Sequence, residues 1–325
     1  YKIRTMYANS DVKGNTSNGA DPSAFFNDGD TIRLMQSNNP YHTGSFPIKI
    51  SSNNDQDAHI EVAGMAYDAQ LTNFTIMGDS NDPNDAKIQG TGFGTFHLSG
   101  IDATFKNLVI ENGSSEEESS AAILMMDGEL IVENSIVRNH YSNGSGGAIG
   151  LNNSSALIKN SLFKENSARY AGGAIEINND YSGGEEVPVK IEIINTVFQG
   201  NRVNGSDQTG NAQGGAIRVW PNKGLDLSIV QSTFFQNEVH VNSDGAGAFG
   251  GAIDVGYRDQ FDFSNIIPIK IDASIFKNNR SEVQNDNMWM GAAVQLGWPT
   301  HITNSLFDGN YLRNNGSNGG GPTAV

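Results

Sequence analysis

The 325-residue chain contains no cysteine, which excludes a disulfide framework and thiolate-held metals. Cations are scarce: 20 Lys and Arg stand against 36 Asp and Glu, a formal net charge of −16. A chain this acidic repels the phosphates that a nucleic-acid binder must neutralise, so nucleic-acid partners are excluded. The same balance suits a solvated, cation-rich surface outside the cell. No apolar run approaches the ~18 residues of a membrane helix, so no membrane insertion by this chain is expected. No segment sustains a 3.6-residue apolar period between caps, and little helix is expected. GxSxG, a P-loop and a GxGxxG run opening a helix are all missing. The six histidines form no HxxxH pair, which argues against zinc. No signal peptide is evident at Tyr1, which reads as the start of a mature or trimmed fragment.

What the chain has is glycine, 38 residues of it, with abundant Asn and Ser, the composition of a fold made of turns. Asn27-Asp28-Gly29-Asp30 is a turn, and Ile32 and Leu34 open an alternating strand. Short strands are predicted at 48–50, 60–62, 74–76, 88 and 96–98, separated by Gly, Asn, Asp or Pro. From Phe105 two phrases alternate strictly. One begins and ends on asparagine: Asn107 to Asn112, Asn134 to Asn139, Asn160 to Asn166 and Asn195 to Asn201. Its later copies end at Asn237, Asn279 and Asn310. The other is Gly-Gly-Ala-Ile at 146–149, 172–175, 214–217 and 250–253, weakened to Gly-Ala-Ala-Val at 291–294. Between them the spacing varies while the phrases stay constant, so loops absorb the length.

Such a period implies coils of short strands, each stacked on the next, because one coil cannot bury its apolar face alone. Gly-Gly suits a corner that needs positive φ or close approach of the next coil. Ile and Phe at constant offsets stack inside. The terminal Asn of each phrase is expected in the left-handed region, its amide bonded to the Asn one coil away. The prediction is an all-β solenoid, a parallel β-helix of about ten coils at roughly 4.8 Å per coil. It forms a single domain over 1–317, with an N-terminal cap and first strand in 1–35 and explicit repeats over 104–310. Residues 318–325 read as a linker-like tail, so the native chain is expected to continue as part of a longer polypeptide or assembly.

GGAI alternating with FxxN resembles the repeat of polymorphic outer-membrane proteins, and the resemblance covers about residues 104–310. It implies a right-handed helix and, in many members, an adhesin-like passenger at the bacterial cell surface. The transport domain usual in that family is not in this chain, nor is an Arg-Gly-Asp tripeptide.

Side chains alternate along a strand, so the residue after each GGAI isoleucine points outward. Stacking then lines up Gly150, Glu176, Arg218, Asp254 and Gln295, with a second row of Asn152, Asn178, Trp220, Gly256 and Gly297. Long loops at 202–213, 238–249 and 280–290, and others at 179–188, 221–224 and 257–268, are expected to wall a groove. Its floor and rim comprise Glu176, Asn178, Arg218, Trp220, Asp254, Tyr257, Gln295 and Trp298, which suits a glycan or a surface protein.

If the groove is catalytic, Glu176, Arg218 and Asp254 carry the chemistry. The two acids lie two coils apart, roughly 9.6 Å by strand spacing, near the span of an inverting glycosidase pair. For a lyase, Arg218, Arg258, Tyr257 or His240 is the candidate base. Against hydrolysis, Arg218 between the acids lowers carboxylate pKa values, whereas a general acid needs one raised. The plainer alternative is a ladder of opposite charges on a solvated sheet, and Trp220 reads equally as a packed rim residue or a sugar platform. No cofactor is required. Asp79, Asn81, Asp82 and Asp85 place several oxygens in one loop that suits Ca²⁺, although solvated turns have the same composition. The first reading is a non-catalytic, adhesin-like extracellular or cell-surface β-helix that presents the groove and loops to a glycan or protein; the alternatives are a polysaccharide lyase or glycoside hydrolase in the same groove, and a structural stalk or fibre segment.

Overall fold

The structure, a computed structural model, describes residues 3–5, 30–34, 41–42, 48–51, 59–62, 65–68, 72–90, 94–116, 120–179, 188–205, 211–242, 246–256, 266–283 and 289–314. The tail at 318–325 and most of the cap at 1–35 lie outside them. Over the described residues the chain is a right-handed parallel β-helix. A ten-stranded first sheet runs from Ile3–Thr5 to Thr300–Thr303, and a nine-stranded second from Tyr41–His42 to Leu306–Asp308. A seven-stranded third runs from Ser114–Ser115 to Tyr311–Asn314, and a ten-stranded fourth reaches Val294–Leu296. Helix is confined, among the described residues, to one 3₁₀ turn at Pro83–Asp85.

Two features depart from the sequence expectation. His59–Val62 and Met65–Asp68 do not form a coil; His59–Val62 pairs antiparallel with Ile48–Ser51, and Met65–Asp68 antiparallel with His59–Val62, as an excursion from the fourth sheet. The three long stretches expected as loops are partly strand. Ala212–Gln213, Ala248–Phe249 and Trp289–Met290 stack as a fifth, three-stranded sheet. A separate small core of Val203, Ala212, Val239, Val241, Ala246, Ala248 and Val283 lies among these segments and the third sheet. The added length therefore buries apolar surface of its own.

Inside the coil, alternation does the sorting: Leu225–Val230 buries Leu225, Leu227 and Ile229 and leaves the residues between them half-exposed. Phe163, Phe198, Phe234, Phe276 and Phe307 stack in one column with ring centroids 4.7–5.1 Å apart and planes within 14°. Coil spacing imposes that geometry, and such pairs add roughly 1 kcal/mol each beyond area burial.

The corner phrase splits into two glycine requirements. The first glycine takes positive φ: 63° at Gly146, 59° at Gly172, 65° at Gly214 and 60° at Gly250. The second has no room for a Cβ, which at Gly147, Gly173 and Gly215 would lie 2.0–2.1 Å from the carbonyl oxygen of the matching glycine one coil on. Ala292 replaces that glycine in the last copy, and among the described residues no further coil stacks on it. The weaker final phrase thus has a steric reason.

The asparagine ladder is as expected in its bonds. Asn166, Asn201, Asn237 and Asn279 are buried, and each Nδ2 donates at 2.9–3.0 Å to Oδ1 of the next. Each Nδ2 also donates to a carbonyl one coil back, Val137, Phe163, Phe198 and Phe234 in turn. The backbone differs from expectation: the left-handed residue is the one before the ladder Asn, namely Glu165, Gly200, Gln236, Asn278 and Gly309. Asn112 and Asn139 occupy this position too. They are therefore not ladder residues, and register puts Gly113 and His140 in the ladder.

His140 reproduces the amide's bonding. Its Nδ1 accepts from the Gly113 N–H at 3.0 Å, and Nε2 lies 3.1 Å from the Ile110 carbonyl, so the proton sits on Nε2. Its own N–H donates to Asn166 Oδ1. A parallel column of hydroxyls, Ser135, Ser161, Thr196, Ser232 and Ser274, donates to its own strands. Ser135, Ser161, Ser232 and Ser274 also accept a neighbouring coil's N–H.

Two outcomes follow. Gly215→Ala must displace the Gly251 carbonyl and is expected to cost roughly 3 kcal/mol or more, read as a lowered urea midpoint. Ala292→Gly is expected to cost no more than about 1 kcal/mol. Burial holds the His140 imidazole down to about 4 from its ordinary 6.5. Between those values the unfolded chain binds a proton that the folded chain refuses, so stability falls as pH drops through the window, by roughly 3 kcal/mol in the limit. Glu176, whose pKa is raised (below), acts in the opposite sense. The comparison of wild type with His140→Asn isolates the histidine: the variant keeps the ladder and loses that share of the acid sensitivity in urea midpoints.

Candidate functional site

The fourth sheet brings the predicted outward row together in register: Gly150 beside Glu176, Glu176 beside Arg218, Arg218 beside Asp254, and Asp254 beside Gln295. The row does not lie on a solvated surface. Arg218 is 1% exposed and Asp254 2%, with Glu176 half-buried beside them, so the centre of the ladder is a buried ion pair. Alternation correctly gave the direction of these side chains and could not show that the face is covered.

Arg218 is held from three sides. Its Nη1 pairs with Asp254 Oδ2 and donates to the Val219 carbonyl at 3.2 Å. Its guanidinium carbon lies 3.8 Å from the centroid of the Trp220 ring. Gly256 supplies the remaining wall, since a Cβ there would lie 2.8 Å from Nη2 and 2.9 Å from Nη1. Stacking on an indole while pairing with a carboxylate is a task for the planar guanidinium, not for a lysine.

The carboxyls titrate opposite to expectation. Burial pushes Glu176 up to about 7, against the lowering effects of a hydrogen bond to Ser145 and the Arg218 charge. Burial likewise pushes Asp254 up to about 6, against Arg218. The cation is present and acts in the expected direction, but desolvation is the larger effect. The electrostatic objection to a general acid in this row therefore falls. What opposes catalysis is access to Arg218 and Asp254.

The remaining predicted residues separate. Asn178 and Trp220 are register partners and half-exposed, and Gln295 is half-exposed at the far end. Trp220 is both a packed and a partly accessible residue. Trp298 is not in the groove: it is 4% exposed and belongs to the main core, its Nε1 donating to the Ile267 carbonyl. Tyr257, Arg258, and much of the walls at 179–188 and 257–268 lie outside the described residues. His240 is on the third sheet and does not share a row with Glu176 and Asp254.

In the Asp79–Asp85 loop, Asp82 Oδ1 accepts from the Asn84 backbone and side chain at 2.9 and 3.0 Å, and Ser80 Oγ donates to Asp85 Oδ2 at 2.6 Å. The Asn81 carbonyl accepts from Asn134 Nδ2. These oxygens are engaged by protein donors, and Asn81 caps a second asparagine column: the buried Asn107 donates to Asn81 Oδ1 at 3.5 Å, and Asn134 donates to Asn107 Oδ1 at 2.8 Å. Ser145, which hydrogen-bonds Glu176, was missed as a site residue; Gly256 was placed in the second row, but its role as the wall against Arg218 was not read.

No family model, curated protein or solved structure matches the chain.

Removing the cation from a buried pair leaves a buried charge. Arg218→Met is expected to cost about 3–5 kcal/mol at neutral pH, and the loss should shrink in acid as Asp254 takes up a proton. Arg218→Met combined with Asp254→Leu is expected to recover most of it, measured by thermal melts as a double-mutant cycle.

Proposed function

We propose that the chain is a non-catalytic, adhesin-like β-helix of the bacterial cell surface or extracellular space. It would present the half-exposed row of Asn152, Asn178 and Trp220, with Gln295 nearby, to a glycan or surface protein. This rests on the near-complete burial of Arg218 and Asp254, which leaves no open acid–base pair in the row that would carry catalysis. What remains accessible is amide groups, part of one indole ring and the half-buried Glu176 carboxyl, a set that binds sugar hydroxyls and ring faces but holds no second open carboxyl. The resemblance of the GGAI/FxxN phrases to polymorphic outer-membrane protein repeats supports the location, by fold-level analogy.

A second reading, a polysaccharide lyase or glycanase, is favoured by one observation: a carboxyl raised to about 7 at Glu176 is protonated in the range where a general acid works. One experiment separates the two. The protein is incubated with uronate-containing and neutral polysaccharides, with and without Ca²⁺, while binding, reducing ends and unsaturated-uronate absorbance are followed together. The expected result is binding to one glycan class, weakened about tenfold (about 1.4 kcal/mol) by Trp220→Ala, without product. Product formation abolished by Glu176→Gln would replace the first reading with the second.

A further inference from the structure

The outer face of the third sheet carries three groups that coil register forces together. His240 and Glu282 are register partners on neighbouring coils, and Glu238 precedes His240 by two residues on the same face of Glu238–Val241. His240 Nδ1 stands 3.7 Å from Glu282 Oε2 and 3.9 Å from Glu238 Oε1, and the three ligand atoms all lie within 4.8 Å of one another. That nitrogen is buried and makes no hydrogen bond among the described residues. Glu282 is only 8% exposed at its side chain.

The carboxylates are steered by arginines. Arg280 Nη2 lies 2.6 Å from Glu238 Oε2, leaving Oε1 turned to the imidazole. Arg313 Nη1 stands 3.9 Å from Glu282 Oε1, while Oε2 faces both His240 and, at 3.7 Å, Arg280 Nη1. An imidazolium paired with these acids would close to hydrogen-bond distance, about 2.7–3.0 Å. The observed separations are too long for that. They match ligand atoms spanning a cation, since bonds of roughly 2.0–2.2 Å place such atoms about 3–4 Å apart.

We propose that Glu238, His240 and Glu282 form a binding site for a divalent transition-metal ion of the Zn²⁺ class, one imidazole nitrogen and two carboxylate oxygens, completed by water. An imidazole ligand disfavours Ca²⁺ and Mg²⁺, which take oxygen. Arg280 Nη2 holds the non-ligating oxygen of Glu238, and Arg313 Nη1 stands nearest that of Glu282, as outer partners of metal carboxylates do. The HxxxH criterion missed the set because its ligands come from two coils, not one helix. Bound metal would tie the coil of Glu238–Val241 to that of Arg280–Val283 beside the small second core.

The test uses the full chain, stripped with a chelator and titrated with Zn²⁺ alone by calorimetry, with Co²⁺ as a spectroscopic probe and Ca²⁺ and Mg²⁺ as competitors. One ion per chain is expected, with a metal-dependent rise in melting temperature. His240→Gln and Glu282→Gln should each weaken binding at least 100-fold, while His301→Ala leaves it unchanged. Should a variant fail to fold by circular dichroism, X-ray absorption on the wild-type complex decides: one imidazole with oxygen ligands supports the site. No stoichiometric uptake, uptake that survives both substitutions, a ligand set without imidazole, or equal competition by Ca²⁺ would overturn it.

Discussion

The contact on which the molecule depends is one with no side chain in it. At each corner the second glycine brings its Cα against the carbonyl oxygen of the matching glycine one coil on, closer than any Cβ permits. The parallel backbone ladder fixes the rise between coils, the glycine lets the corner meet it, and the rise sets everything stacked inside. Phenyl rings under 5.2 Å apart, amide groups within reach of the amide above, and hydroxyls meeting the neighbouring coil's N–H all require it. Because the same spacing serves backbone, aromatic and amide at once, the interactions are mutually consistent rather than independently optimised, which is how a repeat sequence specifies one register.

Polar groups in the interior follow the same rule. An amide column is tolerated in the core because every member is satisfied by its neighbours, and an unsatisfied amide there would cost about 1–3 kcal/mol. His140 shows that the requirement concerns donor and acceptor positions and not the residue type. The Arg218 cluster obeys a different balance. There a guanidinium offsets two acids that are themselves shifted toward neutrality, so the buried net charge depends on pH while the geometry need not.

The fold was legible because alternation and recurrence are properties of the chain itself. Gly-Gly, FxxN and the buried columns follow from short-range pattern, and so does the direction of the Glu176–Arg218–Asp254 row. Burial of that row was not legible: period two says which way a side chain points, never what lies over it. His140 was missed because the early asparagine phrases are one residue shorter than the later ones, and aligning them by their final asparagine shifts the register. Trp298 was assigned to the groove by proximity in sequence, and it turns instead into the core, its Nε1 donating to the carbonyl of Ile267, the matching position one coil earlier.

Successive ladder asparagines are separated by 35, 36, 42 and 31 residues, yet their amide bonds do not change beyond 0.1 Å. Length varies from coil to coil without disturbing the stack, since lengthening a loop costs only a logarithm in closure entropy. The corners on both sides of the fourth sheet are therefore tolerant insertion points. New surface can be acquired there segment by segment, and the fifth sheet shows that such additions can acquire a core and become inherited architecture.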